Sequence, residues 1–394
     1  MRRFAPLGAC NHGNVTDERV DVAIVGAGII GLAHAYIAAR SGFKVSVFER
    51  NPAASGASVR NFGMVWPIGQ AAGAMHRQAL RSREIWLELL SEAGLPYLAV
   101  GSLHVAYRED EAAVGREFAE RGSALGYECE WLDARRTLER TSAVRREGLI
   151  GALWSATEIT VDPRLVISRI PAFLTERYGV TFHFNSPVKE VDAYLLRTNS
   201  CRCRADMVVV ANGDDFQTLY PELFQKQGLT RCKLQMLRTV EQPEHWALGP
   251  SLAFGLTFRH YPTFSICDSL AALKARVARE TPEFDRWGIH VMASENSSRQ
   301  ITLGDSHEYG LEVDIFDKAH VNDLILRYAR EYLRVPDLTI AESWHGVYAK
   351  HPDKQVLRLM PAEGVRVVTV TSGIGMTLSF GLAEETYREV GLIQ

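Results

Sequence analysis

The stretch Val20-Asp21-Val22-Ala23-Ile24-Val25-Gly26-Ala27-Gly28-Ile29-Ile30-Gly31 decides the fold. Residues 20–25 are an apolar, largely β-branched run, which predicts a buried strand. Residues 29–41 predict a helix and 44–48 a second strand. A strand–turn–helix–strand unit implies a parallel sheet, because parallel neighbours need a crossover. In the turn, the first glycine permits the sharp reversal. The second lets a pyrophosphate approach the backbone, and the third lets the helix pack on the sheet. The helix start then offers N–H groups and its dipole to a phosphate. Glu49 ends the second strand about 20 residues on, a spacing that suits a carboxylate on a ribose hydroxyl pair. Its charge opposes the extra phosphate of NADP, while the neighbouring Arg50 works the other way.

This turn alone fits FAD, NAD or a glycine turn without ligand. A second glycine turn favours FAD. Ser372-Gly373-Ile374-Gly375-Met376-Thr377 opens the last helix, predicted over 376–391. A helix start stabilises the negative edge of a reduced flavin.

The chain has 394 residues, which predicts two or three domains. Hydrophobic residues make up 46% and charged residues 23%, the balance of a soluble globular protein. Lys and Arg number 44 against 47 Asp and Glu, a net charge of −3. No global field therefore attracts nucleic acid or an anionic membrane. No apolar run reaches the roughly 18 residues of a membrane span. Residues 1–17 begin basic, lack the apolar stretch of a secretory signal and read as a loose leader. Of the cysteines at 10, 129, 201, 203, 232 and 267, only Cys201 and Cys203 are close in sequence. No second pair stands at zinc spacing, which predicts reduced structural thiols, no metal and a cytoplasmic chain.

Helices are further predicted over 76–92 (stripe Leu80, Ile85, Trp86, Leu89, Leu90), 110–125, 163–177 and 317–333. Predicted strands are 98–107, 180–184, 188–197, 205–211, 231–240, 252–260, 287–294, 299–304, 338–349 and 365–371. Parallel-type units stand at the start, middle and end, with alternating strands between them. The fold class is therefore α/β. A discontinuous Rossmann-type FAD-binding domain takes 18–95, 155–222 and 338–394. An α+β, antiparallel-sheet substrate domain is inserted as 96–154 and 223–337.

Four motifs carry a family resemblance: the first glycine turn with Glu49-Arg50, Ser55-Gly56-Ala57-Ser58, the strand end Val210-Ala211-Asn212-Gly213, and the final glycine turn. Together they resemble the FAD-dependent glycine oxidase and sarcosine oxidase family, the D-amino-acid-oxidase-like amine oxidases, over about residues 18–392. The stretches Ser55 to Gln70 and Trp344-His345-Gly346-Val347-Tyr348-Ala349-Lys350-His351-Pro352 are similar to one subgroup. Its members are FAD oxidoreductases of phosphonate catabolism that act on N-methyl-2-aminoethylphosphonate.

The resemblance implies that Gly26, Gly28 and Gly31, with Ile29 and Ile30, hold the pyrophosphate, and that Glu49, beside Arg50, holds the adenosine ribose. It implies that Ser55, Gly56, Ala57 and Ser58 wrap the phosphates. Arg60, Asn61, Phe62, Gly63 and Met64 pass the flavin ring, and Val188 meets adenine through its backbone. Ala211, Asn212 and Gly213 lie along the cofactor. Gly373, Ile374, Gly375, Met376 and Thr377 face the pyrimidine edge. Covalent-flavin members place Cys where Gly346 stands, so a non-covalent FAD is implied. The His and Lys that sarcosine oxidases place in the final turn are Ile374 and Thr377 here. Their oxygen-activating lysine matches Thr302, which leaves O2 or another electron acceptor open.

Flavin amine oxidation needs a neutral amine, which an apolar site favours by desolvation. An anionic substrate group, phosphonate or carboxylate, needs charge-assisted donors. Arg60, Arg238, Arg259, His260, Lys350 and His351 are the candidates. Trp66, Tyr261, Trp344 and Tyr348 are candidate cage walls. His34 reads as a packing residue. Competing readings are a glycine oxidase-like enzyme or D-amino acid dehydrogenase for a small amino acid, a flavin-binding scaffold without catalysis, and an NAD-dependent dehydrogenase.

Overall fold

A computed structural model describes residues 16–393. The predicted leader therefore lies almost wholly outside the described residues, as does Cys10.

Strand β1 (Thr16–Val25), helix α1 (Ile29–Arg40) and strand β2 (Val45–Phe48) form the expected crossover, with β1 and β2 parallel. Helix α2 (Ala74–Glu92) buries Ala79, Ile85, Trp86, Leu89 and Leu90, while Leu80 is only half-buried. Strand β3 (Ser102–Ala106) and helix α3 (Pro163–Tyr178) follow, and Asp162 caps α3 by accepting from the N–H groups of Arg164 and Leu165. Next come β4 (Cys201–Val210), β5 (Thr230–Glu241), β6 (Gln300–Gly304), β7 (Ile340–Lys350), β8 (Val365–Val370) and helix α4 (Gly375–Glu389).

Two large sheets carry the molecule. In the first, of eight strands, β1 lies between β2 and β4, and β8 runs parallel to the end of β4. β2 pairs in parallel with Thr181–His183. The predicted strand over 188–197 is a hairpin instead, Glu190–Asp192 against Leu195–Arg197, and it pairs with the start of β4 at Cys201 to Arg204. The second sheet has nine strands, including β3, β5, β6 and β7. It is mostly antiparallel, but Ser251–Phe254 runs parallel to β3. β7 pairs along its length with β5 and so belongs to this sheet, although it falls inside the stretch 338–394 assigned to the nucleotide domain.

Three expectations change. The run 252–260 is a strand only to Phe254; Gly255–Arg259 is a 3-10 helix. The strand expected over 287–294 begins at Met292, and Gly288, with φ of 55°, turns the chain before it. Helix Leu270–Glu280 was not predicted, although it buries Leu270, Leu273 and Val277 at helical spacing.

The parallel sheet buries Val22, Leu32, Trp86, Ile167 and Phe380 on one face and Val208, Val210, Phe216 and Leu357 on the other. The second sheet has its own core, including Leu103, Phe118, Phe254, Phe258 and Leu303.

Candidate active site

The first glycine turn is shaped by contacts that admit no side chain. Gly26 has φ of 100°, and a Cβ there would stand 2.4 Å from the Ala211 carbonyl oxygen. A Cβ on Gly31 would stand 1.9 Å from the Gly26 carbonyl oxygen. The helix thus sits directly on the turn, as close helix–sheet packing at the third glycine requires. At Gly28 a Cβ would meet only the Ser58 side chain, with the hydroxyl at 3.0 Å. The loop 55–58 folds over the helix start, where the Ile29 N–H donates to Ser58 Oγ at 2.9 Å.

Glu49 is buried at the end of β2. Its carboxylate accepts from the Ala27 N–H at 2.9 Å and the Asn51 N–H at 3.0 Å. A carboxylate has about four acceptor positions, so capacity remains for a ribose hydroxyl. Arg50 pairs with Asp215 at 2.7 Å, which ties the loop after Asn212-Gly213 to the same strand end. An opening of about 450 Å³ lies beside Ala27, Pro52, Ala53 and Ala54, walled by α3 residues such as Pro171 and by Phe182 and Phe184. Val188 lies in the apolar core below the sheet.

The stretch expected to pass the flavin is rigid. Asn61 donates to the carbonyls of Ala57 and Ser58 and accepts from the Gly63 N–H. Gly63 has φ of 75°, and a Cβ there would collide with the Val161 carbonyl oxygen at 1.9 Å. Met64 pairs with Thr160. The Ser294 hydroxyl donates to the Phe62 carbonyl at 2.7 Å, and Ser294 is paired with Thr302 across the ladder.

The second glycine turn brings a second helix start beside the first: the nearest atom to a Cβ on Gly375 is Ile29 Cγ2, at 3.8 Å. Ile374, Met376 and Thr377 are buried, and Thr377 Oγ1 accepts from the Trp66 N–H at 3.0 Å. The Thr377 hydroxyl is therefore engaged by the chain itself.

β7 spans the two stretches expected to face the flavin, touching Arg60 and Gly373. Alternate residues share a face of a strand, so Trp344, Gly346, Tyr348 and Lys350 point the same way. The Trp344 indole N–H donates to the Arg60 carbonyl at 3.1 Å, and a Cβ on Gly346 would stand 3.4 Å from that oxygen. Tyr348 lies against Gly373, 3.1 Å from where its Cβ would be. Burial pushes the Tyr348 hydroxyl well above the ordinary tyrosine range.

Not all candidate cations face this space. Arg60 donates to the His345 carbonyl at 3.3 Å, beside Trp344. Arg259, in its 3-10 turn, is held by Asp285 and by the Ile289 carbonyl. Arg238 is buried under Trp344, whose ring lies 5.1 Å from it and 5.0 Å from Arg164. His351 Nδ1 accepts from the N–H groups of Asp353 and Lys354, which makes it a turn residue. The structure instead groups His260, Tyr261 and Lys350. Tyr261 stacks on Trp66 at 6.4 Å, and Lys350 lies near enough to His260 and His307 to disfavour their protonation. His290, His307 and Asp305, which no linear motif marks, stand in the same group. His34 is buried on α1, bonded to the Ile30 carbonyl.

Residues 21–388 match the family described as DAO: FAD dependent oxidoreductase. The chain belongs to that family. FAD is the cofactor of this oxidoreductase, and the glycine contacts, the buried Glu49 and the paired helix starts fit it. Gly346 offers no side-chain atom for a covalent link. Among curated relatives, the oxidoreductase is 28% identical over 238 residues to an opine oxidase subunit of Agrobacterium tumefaciens, covering 56% of this chain and 63% of that one. It is 28% identical over 218 residues to glycine oxidase of Geobacillus kaustophilus, covering 50% and 55%. The matches thus span less than two thirds of these relatives' lengths. Glycine oxidase structures from Geobacillus kaustophilus and Bacillus cereus superpose with TM-scores of 0.74 and 0.75 at 20% and 17% identity. Each comparison covers 95% of this chain, with 95% and 96% of the other, so the fold is shared. No helix among the described residues is long and apolar enough to cross a membrane.

Proposed function

We propose that this oxidoreductase oxidises a small secondary amine that carries an anionic group, N-methyl-2-aminoethylphosphonate being the substrate that the sequence resemblance suggests. When bound, FAD accepts the hydride lost by the carbon next to nitrogen. The chain's own residues do the rest. Trp66, Tyr261 and Tyr348 present aromatic surface that desolvates an ammonium and favours the neutral amine. Lys350, on the same face of β7 as Tyr348, holds the anionic group as a point charge. Loss of hydride from the CH2–N carbon leaves an iminium. Water adds to it and releases phosphonoacetaldehyde and methylamine. The two electrons pass to O2, giving H2O2, or to another acceptor.

The observation that supports an anionic group is Lys350, a cation on the face of β7 that carries Tyr348 and close to His260 and His307. Arg259 is neutralised by Asp285 and Arg60 is turned to a backbone carbonyl, which leaves Lys350 as the candidate donor for either a phosphonate or a carboxylate. Kinship with glycine oxidase supports the second reading, a small amino acid as substrate. Anaerobic bleaching of the bound flavin separates the two. N-methyl-2-aminoethylphosphonate is expected to bleach it faster than sarcosine, glycine or D-alanine. Faster bleaching by an amino acid would sink the phosphonate assignment, and bleaching by none of them would sink the amine reading itself.

A further inference from the structure

His260, His290 and His307 come from three separate chain segments. Each offers a ring nitrogen, and these three atoms lie within 4.8 Å of one another. The rings gather closely, with centroids 4.0 Å apart for His260 and His290, 4.6 Å for His260 and His307, and 5.2 Å for His290 and His307. Tetrahedral zinc with bonds of about 2.1 Å separates its ligand atoms by roughly 3.4 Å. Closing the set therefore asks for small ring rotations.

Two further observations point to a ligand. His307 Nδ1 lies 2.9 Å from the Gly288 carbonyl oxygen, which can only accept. Nδ1 therefore carries the proton, and Nε2 keeps its lone pair for a metal, the outer-shell arrangement that orients a histidine ligand. His290 is buried with neither ring nitrogen in a hydrogen bond. Its Nε2 faces the buried Asp305 Oδ1 at 3.1 Å, yet that oxygen too lacks a hydrogen-bond partner. Leaving such groups unsatisfied is costly, and one shared cation satisfies His290 Nε2 and Asp305 Oδ1 together.

We propose that His260, His290 and His307, completed by Asp305, form a binding site for a divalent cation of the zinc class beside Tyr261 and Lys350. Three imidazoles and one carboxylate are a borderline-soft set that suits zinc over magnesium or calcium. His260 is exposed, so an ion enters from that side. Lys350 is the charge that opposes it. Arg259 opposes it less, because Asp285 neutralises it.

The test uses FAD-loaded protein, treated with chelator and then dialysed against Zn2+. The wild type is expected to retain about one equivalent. Co2+ in its place gives d–d bands to the red of the flavin absorption. His290→Gln and His307→Gln, which keep side-chain bulk, are expected to weaken retention at least about tenfold. Lys350→Met is expected to tighten it. Flavin absorbance reports whether each variant is folded. Wild-type protein that keeps no zinc and shows no cobalt bands would overturn the proposal. So would zinc held equally by both glutamine variants, which would place the ion elsewhere. Neither result depends on which amine is oxidised.

Discussion

At the scale of single residues, backbone crowding marks the cofactor positions more sharply than any side-chain contact. A methyl group on Gly31 has nowhere to go, because the Gly26 carbonyl oxygen is 1.9 Å from its position and belongs to the rigid turn. Gly31→Ala is expected to cost about 1–3 kcal/mol, as overpacking does, and to lower FAD retention after gel filtration. Glu49→Gln tests the acid. An amide can accept through only one oxygen, so one of the two N–H groups now on the carboxylate is left facing an NH2. FAD affinity is expected to fall about tenfold, measured by titrating deflavinated protein. Unchanged affinity would show that the acid shapes the turn without touching the ribose. The turn and its acid were legible in sequence because both lie within one crossover unit, and the two variants test whether they hold FAD. Arg259 and His351 illustrate the opposite case: they are engaged by Asp285 and by the turn at Asp353, partners that their own neighbourhood does not imply.

At the scale of elements, periodicity revealed the parallel unit, α2, α3 and the paired strands β5 and β7. It failed where local sequence and tertiary context disagree. The run from Ser251 reads as one apolar strand, yet it bends into a 3-10 turn at Gly255. A Cβ on Gly255 would fall 2.0 Å from the Glu111 carboxyl carbon. Glu111 sits there because it caps its own helix and pairs with Arg276, a long-range fact. The final helix illustrates an element held by charge as well as packing. Arg81 of α2 grips Glu384 of α4 through two hydrogen bonds of 3.0 and 2.9 Å. Glu384 is buried, and Arg388 and Arg40 lie at 3.0 and 3.9 Å. Since those two arginines remain and Arg81 is itself partly in water, Arg81→Met is expected to cost only about 1 kcal/mol. Urea unfolding would read it. A loss of several kcal/mol would mean that Arg81 alone compensates the buried acid.

At the scale of the whole molecule, the two sheets meet where Ser294 bonds to Phe62 and Trp66 to Thr377. A buried histidine in each core makes stability depend on pH. His34, in the parallel domain, is held down at about 4, first by burial and against its bond to the Ile30 carbonyl. His104, among Trp66, Phe258 and Phe264 in the other core, is held down at about 3 by burial. Both are neutral in the folded chain, while an unfolded histidine protonates near 6.5. Below that pH the unfolded state therefore binds protons that the folded state refuses. Their contribution is fully present above about pH 6.5 and is lost progressively toward the folded values. At pH 5 each histidine lowers stability by about 2 kcal/mol, from 1.36 kcal/mol per unit. Melting temperature is expected to stay flat from pH 8 to about 7 and then to fall steeply toward pH 5. His104→Leu, close in volume and without a titrating group, should flatten that fall by about half of the two-histidine effect. A wild-type melting temperature that holds steady to pH 5 would mean that these rings take up protons in the folded chain at less cost than their burial implies, through opening of the fold around them.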